Sequence, residues 1–339
     1  MGFKIMVQWS QILPIILILN HVLEKEKGMN RRQFLQLSVV LSSASILAAC
    51  SRGAKSYATQ SVPPEVRVLA EGLNFPEGPA FDPAGGLWCT EMGAGNLVRW
   101  QDGRIERIPT EGRPNGLAFD QQGRAWVPDS QLNSIRRYTP ENGLWETILE
   151  RVDGMALQAP NDLTFDARGN LIFTCPNYAT TERTGYVVCL RPDGSARRIA
   201  EGYYRPNGLD IVDGGKALVV ADTYQKALFK GRWDDERCTW EDVHLWAQVG
   251  GTEGPDGMAP GANGYLYQAI YGDGMVQVIG PDGKTVEKFS LPGKNPTNVA
   301  IDPSGRLGLV VTEAEKGLLL SIPDIQPGPA IYLAGEVWP

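Results

Sequence analysis

Glu77, Asn115, Asn161, Asn207, Asp256 and Thr297 each follow a proline, each carry a side-chain oxygen, and none is apolar. Two carboxylates with several amide carbonyls form a ligand set suited to a hard cation such as calcium, provided the fold brings them to one axis. A positive charge is also needed on electrostatic grounds, because neighbouring carboxylates without one force one of the pair to stay protonated. The plain alternative is that the asparagines satisfy turn backbones, as Asn-Gly pairs often do, and Asn115 fits that description. Glu77 does not, since glutamate has no such turn role.

These residues recur within six versions of one phrase: Phe75-Pro-Glu-Gly78, Arg113-Pro-Asn-Gly-Leu117, Ala159-Pro-Asn-Asp-Leu163, Arg205-Pro-Asn-Gly-Leu209, Gly254-Pro-Asp-Gly-Met258 and Asn295-Pro-Thr-Asn-Val299. Each phrase has a glycine nine positions after its proline: Gly85, Gly123, Gly169, Gly215, Gly264 and Gly305. The prolines are separated by steps of 38, 46, 46, 49 and 41 residues. That period, with no helical pattern between the phrases, predicts an all-β fold, a six-bladed β-propeller over residues 65–339. The first strand of each blade then lines a central channel, and the residue after each proline occupies one ring position near its mouth.

The elements that would hold this ring are legible in outline. Each phrase is expected to begin an inner strand, followed by a tight turn where the glycine takes positive φ. Apolar runs come next, among them Leu87-Trp-Cys-Thr90, Leu171-Ile-Phe-Thr174 and Ala217-Leu-Val-Val220. Such runs need not alternate if they are buried between neighbouring blades. Asp102-Gly103, Asn142-Gly143, Asp193-Gly194 and Asp282-Gly283 mark outer hairpins. Glu65 to Ala70 alternates like a strand and is expected to complete the last blade, which would remove an open sheet edge.

A metal held by oxygen ligands polarises a carbonyl or phosphoryl oxygen and lowers the pKa of bound water. A carboxylate beside it can take the water's proton or attack directly. Hydrolysis of an ester-like bond is the natural reaction. Histidine chemistry is nearly excluded, because the chain has only 2 histidines, His21 in the leader and His244 in an expected outer strand. No histidine-held zinc or Ser-His-Asp triad can be built at the channel. No phosphate-binding glycine loop or dinucleotide fingerprint is present.

A net charge of −7 and the absence of a basic stripe argue against nucleic acid. The N-terminal segment reads separately. Asn30-Arg-Arg-Gln-Phe-Leu-Gln36, the apolar run Leu37 to Ala49 and Leu47-Ala-Ala-Cys50 form a twin-arginine, lipoprotein-type export signal over residues 29–50. An uncleaved membrane anchor is the alternative. Residues 1–28 precede Met29 and are read as an over-extended start or a leader extension, and residues 51–64 as a polar tether. The expected protein is exported, periplasmic or extracytoplasmic, and meets the membrane only through a lipid on Cys50. Cys89, Cys175, Cys189 and Cys238 lack CxxC spacing and are expected to be buried thiols.

The phrases Phe75-Pro-Glu-Gly-Pro79, Pro160-Asn-Asp-Leu163, Pro206-Asn-Gly-Leu209, Gly254-Pro-Asp-Gly-Met258 and Asn298-Val-Ala-Ile301 together resemble the family of senescence marker protein, gluconolactonase and luciferin-regenerating enzyme. Val219-Val-Ala-Asp-Thr223 and Val311-Thr-Glu-Ala314 resemble its blade endings. The resemblance implies a six-bladed propeller with a divalent metal in the channel, most often calcium, with manganese, zinc or magnesium as substitutes. It implies Glu77, Asn161, Asn207 and Asp256 as ligands and Asp256 as general base or nucleophile. Asp162 would be a residue behind the ligands or in the channel, fixing Asn161. Asn115, Arg113 and Arg205 are candidates for contact with substrate. Animal members carry an arginine where this chain has Ala159. Thr174-Cys-Pro176 replaces the Thr-Asp-Pro of many bacterial members, which argues against a second calcium there.

The expected activity is metal-dependent hydrolysis of a sugar lactone or related ester, a small-molecule substrate with no obligatory protein partner. Tyr178, Tyr203, Tyr204 and Tyr271 are candidates to shape the pocket at the channel mouth, with packing as their plainer role. A phosphotriesterase or fluorophosphatase on the same metal centre is the first alternative activity. A non-catalytic propeller binding a sugar acid or a partner protein is the second.

Overall fold

The structure, a computed structural model, describes residues 64–325 and residue 338. The export signal, Cys50 and nearly all of the tether lie outside the described residues. The described chain is a six-bladed β-propeller: six four-stranded antiparallel sheets, with one small hairpin, Arg151–Val152 with Met155–Ala156, beside them. The inner strands are Pro76–Phe81, Ala118–Phe119, Leu163–Phe165, Pro206–Val212, Gly254–Pro260 and Pro296–Ile301. The phrase begins the inner strand in blades 1, 4, 5 and 6. In blades 2 and 3 it lies just before the ladder, and Pro114 makes only an isolated bridge to Asp129. The ring closes as expected, with Arg67–Ala70 pairing against Leu318–Ile322 as the fourth strand of blade 6.

The second strands explain why their sequences do not alternate. Leu87–Glu91, Ala125–Asp129, Leu171–Cys175, Ala217–Asp222 and Leu309–Glu313 are buried at every position. Successive side chains point to opposite faces of a blade, and each face meets another blade. In blade 1, Trp88 packs toward blade 2, while Leu87 and Cys89 pack toward blade 6. The apolar core is thus a set of layers, one between each neighbouring pair of blades. Each fully buried Leu, Val or Phe in a layer contributes about 1.5–3 kcal/mol relative to exposure.

The glycine nine residues after each proline has positive φ in all six blades, from 75° to 92°. In four blades the same turn is locked by an aspartate not anticipated from the repeat phrase: Asp82, Asp120, Asp166 and Asp302. Asp120, for example, accepts the backbone N–H groups of Gln122 and Arg124 and the indole N–H of Trp126. Each stands six residues after the repeat proline, so the signal is present at a fixed offset.

The glycine within the phrase has a different cause. A Cβ on Gly78 would lie 2.7 Å from the Asn115 carbonyl oxygen, and one on Gly208 would lie 2.3 Å from the Asp256 carbonyl oxygen. On Gly116 it would meet the Asp162 carboxylate at 2.4 Å, and on Gly257 the Asn298 side chain at 2.0 Å. Inner strands of adjacent blades therefore touch backbone to backbone at Gly78 and Gly208, and backbone to side chain at Gly116 and Gly257, which favours glycine at all four.

Threonine hydroxyls stitch the blades together at the same level. Thr90 donates to the carbonyl of Asn115, Thr174 to that of Asn207, and Thr223 to that of Pro255. Cys89, Cys175, Cys189 and Cys238 are buried free thiols, as expected. Trp338 is buried between blades 2 and 3 against Trp126, with ring centroids 4.6 Å apart.

Candidate metal centre

Five of the six ring residues come together. Glu77, Asn115, Asn161, Asn207 and Asp256 line one cavity of about 420 Å³ at the channel mouth, and Arg113 and Arg205 line it with them. Each ring side chain is less than a tenth exposed. The positions follow from the fold, because each residue sits at the same place in its repeat and the stitched backbones carry them to one level.

Thr297 departs from the expected ring. It is fully buried, and its hydroxyl turns sideways to donate to the carbonyl of Pro76 at 2.7 Å. It is the stitch that joins blade 6 to blade 1, and it does not line the cavity. Asp162 also lies elsewhere. Its carboxylate accepts from the amide of Asn298 at 3.0 Å and from its own neighbour Leu163 N–H at 2.9 Å. It lines a separate cavity of about 150 Å³ on the inner strands. It therefore stands in the channel, one of the two places expected for it, and its side-chain partner is Asn298 rather than Asn161.

Of the four tyrosine candidates, Tyr178 and Tyr271 line the mouth, and Tyr224 joins them unanticipated. Tyr203 packs instead in the layer between blades 3 and 4, against Phe229 and Trp240. Tyr204 lies outside the cavity, with Arg183 over its ring. Phe75 stacks on Tyr271 at 6.5 Å. Phe75 and Ala159, both on the cavity wall and both preceding a repeat proline, hold φ of 52° and 47°. Such conformations are costly for residues other than glycine and persist where the surroundings fix them.

The polar groups of the ring are set up unequally. Asn207 donates to the Thr223 hydroxyl at 3.1 Å, which fixes its amide. Asn115 donates to the Met92 sulfur at 3.5 Å. The side-chain oxygen of Asn161 is buried without any hydrogen-bond partner. A buried carbonyl oxygen left bare costs about 1–3 kcal/mol. A cation in the cavity would satisfy it.

The electrostatics point the same way. Burial pushes the Asp256 carboxyl up to about 8, with Asp162 raising it further and Arg205 and the Asn207 amide opposing. Glu77 is driven well above the usual carboxylate range by burial first, then by the nearby charges of Asp256 and Asp162. Repulsion between two buried carboxylates is what a divalent ion relieves. Among the described residues no three His, Cys, Asp or Glu side chains cluster, so an ion here would be held by two carboxylates and amide oxygens. That donor set suits a hard cation and not a thiolate- or imidazole-seeking one. Glu77, Asn161, Asn207 and Asp256 fit such a group.

Residues 75–315 match the family described as SMP-30/Gluconolactonase/LRE-like region. The gluconolactonase of Zymomonas mobilis is 25% identical over 276 residues, spanning 71% of this chain and 77% of its own length. The diisopropyl-fluorophosphatase of Loligo vulgaris is 28% identical over 281 residues, spanning 73% of this chain and 88% of its own. The solved structure of a gluconolactonase from Xanthomonas campestris superposes with a TM-score of 0.68 at 25% identity, covering 78% of this chain and 90% of that one.

Proposed function

The chain belongs to the SMP-30/gluconolactonase/LRE-like family, and we propose that it is a divalent-metal-dependent hydrolase of lactones. The observation that carries the reading is the unpartnered Asn161 oxygen beside two buried carboxylates that repel one another. A pure scaffold has no physical use for that combination. Glu77, Asn161, Asn207 and Asp256 are the ligands in this reading, and calcium is the preferred ion because every donor is oxygen.

A bound divalent cation would polarise the ester carbonyl and lower the cost of charge on its oxygen. Asp256 then accepts the proton of the attacking water. Arg205 and the Asn207 amide both favour its ionised form. Asn207 is held in place by Thr223, whose hydroxyl in turn binds the carbonyl of Pro255, so base and neighbour are fixed by one chain of contacts. The aromatic rims Tyr178, Tyr224 and Tyr271 confine the substrate at the mouth.

The Loligo relative supports one second reading, cleavage of phosphorus esters or P–F bonds at the same centre. Rates on a lactone panel and a phosphotriester panel, each with chelator and then with calcium, manganese, zinc or magnesium restored, separate the two. Metal-restored turnover of lactones alone supports the first reading, and turnover confined to phosphorus substrates supports the second. The N-terminal segment supports export by a twin-arginine-type signal and lipid anchoring through Cys50 outside the cytoplasm. Radiolabelled palmitate incorporation that survives Cys50→Ser would contradict the anchor.

A further inference from the structure

Four of the residues just before the repeat prolines, Phe75, Arg113, Ala159 and Arg205, line the same cavity as the ring, and those of blades 2 and 4 are the arginines. Their backbones are fixed in the same way. Arg113 N–H donates to the Asp129 carboxylate at 3.0 Å, and its carbonyl accepts from Ser130 N–H at 3.0 Å. Arg205 N–H donates to the Asp222 carboxylate at 3.1 Å, and its carbonyl accepts from Thr223 N–H at 3.0 Å.

The side chains are not used in this way. Among the described residues, neither guanidinium makes a salt bridge or donates a hydrogen bond. Arg205 lies 5.6 Å over the ring of Tyr224 and acts on Glu77 and Asp256 only through space. A guanidinium carries five donors in a planar fork that matches a carboxylate. The intervening blade has Ala159 at the equivalent position, a methyl where a longer side chain would stand between the two arginines.

The charge count of the cavity gives this pair a purpose. Its charged lining consists of Glu77, Glu253 and Asp256 against Arg113 and Arg205. A divalent ion neutralises Glu77 and Asp256, which leaves one carboxylate facing two guanidiniums. The loaded site therefore has an excess positive charge at its mouth.

We propose that the substrate is a lactone bearing a carboxylate, which Arg113 and Arg205 hold while the ring carbonyl faces Glu77 and Asp256. The proposal rests on the lactone hydrolase reading and adds the anionic group. The pair works as a specificity device, because a neutral analogue leaves the guanidiniums without the partner that the site offers them.

Two measurements on the purified full chain with calcium supplied test it. The first compares kcat/KM for 5-oxotetrahydrofuran-2-carboxylate and for its neutral carboxamide. The second measures calorimetric binding of the non-hydrolysed lactams 5-oxoproline and 5-oxoprolinamide. A preference for the acid of about tenfold or more is expected in both. In the Arg113→Gln, Arg205→Gln double variant the ratio falls toward one, whatever happens to the absolute rates. Equal or undetectable binding of the two lactams overturns the proposal. Selective binding of 5-oxoproline with no turnover of any lactone would keep the anion reading and reject the hydrolase reading beneath it.

Discussion

The Asn298 amide donates to the Asp162 carboxylate at 3.0 Å across the propeller axis, joining blade 6 to the opposite blade 3. The two residues occupy the position that is glycine in the other four blades, Gly78, Gly116, Gly208 and Gly257. Four glycines let the inner strands close up, and two larger side chains fill the space that remains. Burial raises the Asp162 carboxyl to about 7, and the Asn298 amide opposes that shift. Asn298→Ala should therefore destabilise the domain by about 1–3 kcal/mol, because it leaves a buried carboxylate without its only side-chain donor among the described residues, with the Leu163 N–H alone remaining. Combined with Asp162→Ala, the loss should be smaller than the sum of the single losses. Denaturant midpoints of the four proteins give the cycle, and strict additivity would show that the bridge carries no coupling.

Gly208→Ala forces a methyl to within 2.3 Å of the Asp256 carbonyl oxygen. The backbone that carries the proposed base must move, so calcium affinity should drop at least about tenfold, the loss that displaced supporting groups typically bring. Gly103→Ala is the contrast. Its φ is 84° with nothing within 4 Å of the added Cβ, so it should cost about 1–2 kcal/mol of stability and leave calcium affinity unchanged. Isothermal titration of both variants checks the pair. Equal affinity in Gly208→Ala would contradict the close-approach argument.

Much of this arrangement is legible in the amino-acid order, and the parts that are not share a cause. The period of the prolines, the turn glycines and the Asp-Gly hairpins are local signals, fixed by the φ angles that a short turn demands. They place the blades, the N-terminal closing strand and five members of the ring. Thr297 escapes them because its proline sits at the right offset while its hydroxyl serves the neighbouring blade. Nothing in a single repeat says which neighbour a side chain will choose. Tyr203 and Tyr224 are hard to tell apart for a similar reason: one is in a strand facing another blade, the other in the turn after the second strand. The phrase glycines stand out as identities, but their purpose depends on how closely two distant segments approach.

Trp338 is invisible to periodicity because it lies after the last blade. It fills the layer between blades 2 and 3, donates its indole N–H to the Gly169 carbonyl at 2.9 Å, and accepts from Arg124 through its own carbonyl at 2.9 Å. Trp338→Ala should cost about 3–5 kcal/mol, the range for removing a buried large aromatic. Calcium affinity should stay within about twofold, because the residue is remote from the ring. A stability loss near zero in equilibrium unfolding would mean that the contact does not hold in solution.

Raised carboxyl pKa values in the ion-free protein set the sign of its pH response. Asp256 is near 8, Asp162 near 7, and Glu77 is also displaced upward. The folded state holds these protons more tightly than the unfolded chain, so the associated stability is present at low pH. It is lost as the pH rises from the ordinary carboxylate range through about 8. A chelated sample should therefore be less stable at about pH 9 than at about pH 6. Calcium should raise the unfolding midpoint more at the higher pH, because at the lower one it must displace protons. A calcium-induced gain that is larger at the lower pH would contradict the assignment of the carboxylates as ligands.

Glu77, Asn161, Asn207 and Asp256 are proposed to hold a divalent ion that lactone hydrolysis requires. The most direct measurement is base consumption on glucono-1,5-lactone and a lactone panel by chelator-treated protein, titrated with calcium, beside Asn161→Ala and Asp256→Ala. Turnover should return with calcium in the unsubstituted chain. Asn161→Ala should need a higher calcium concentration, and Asp256→Ala should stay at the uncatalysed rate at any calcium concentration. Full turnover after exhaustive chelation, or turnover unchanged in Asp256→Ala, would contradict this assignment.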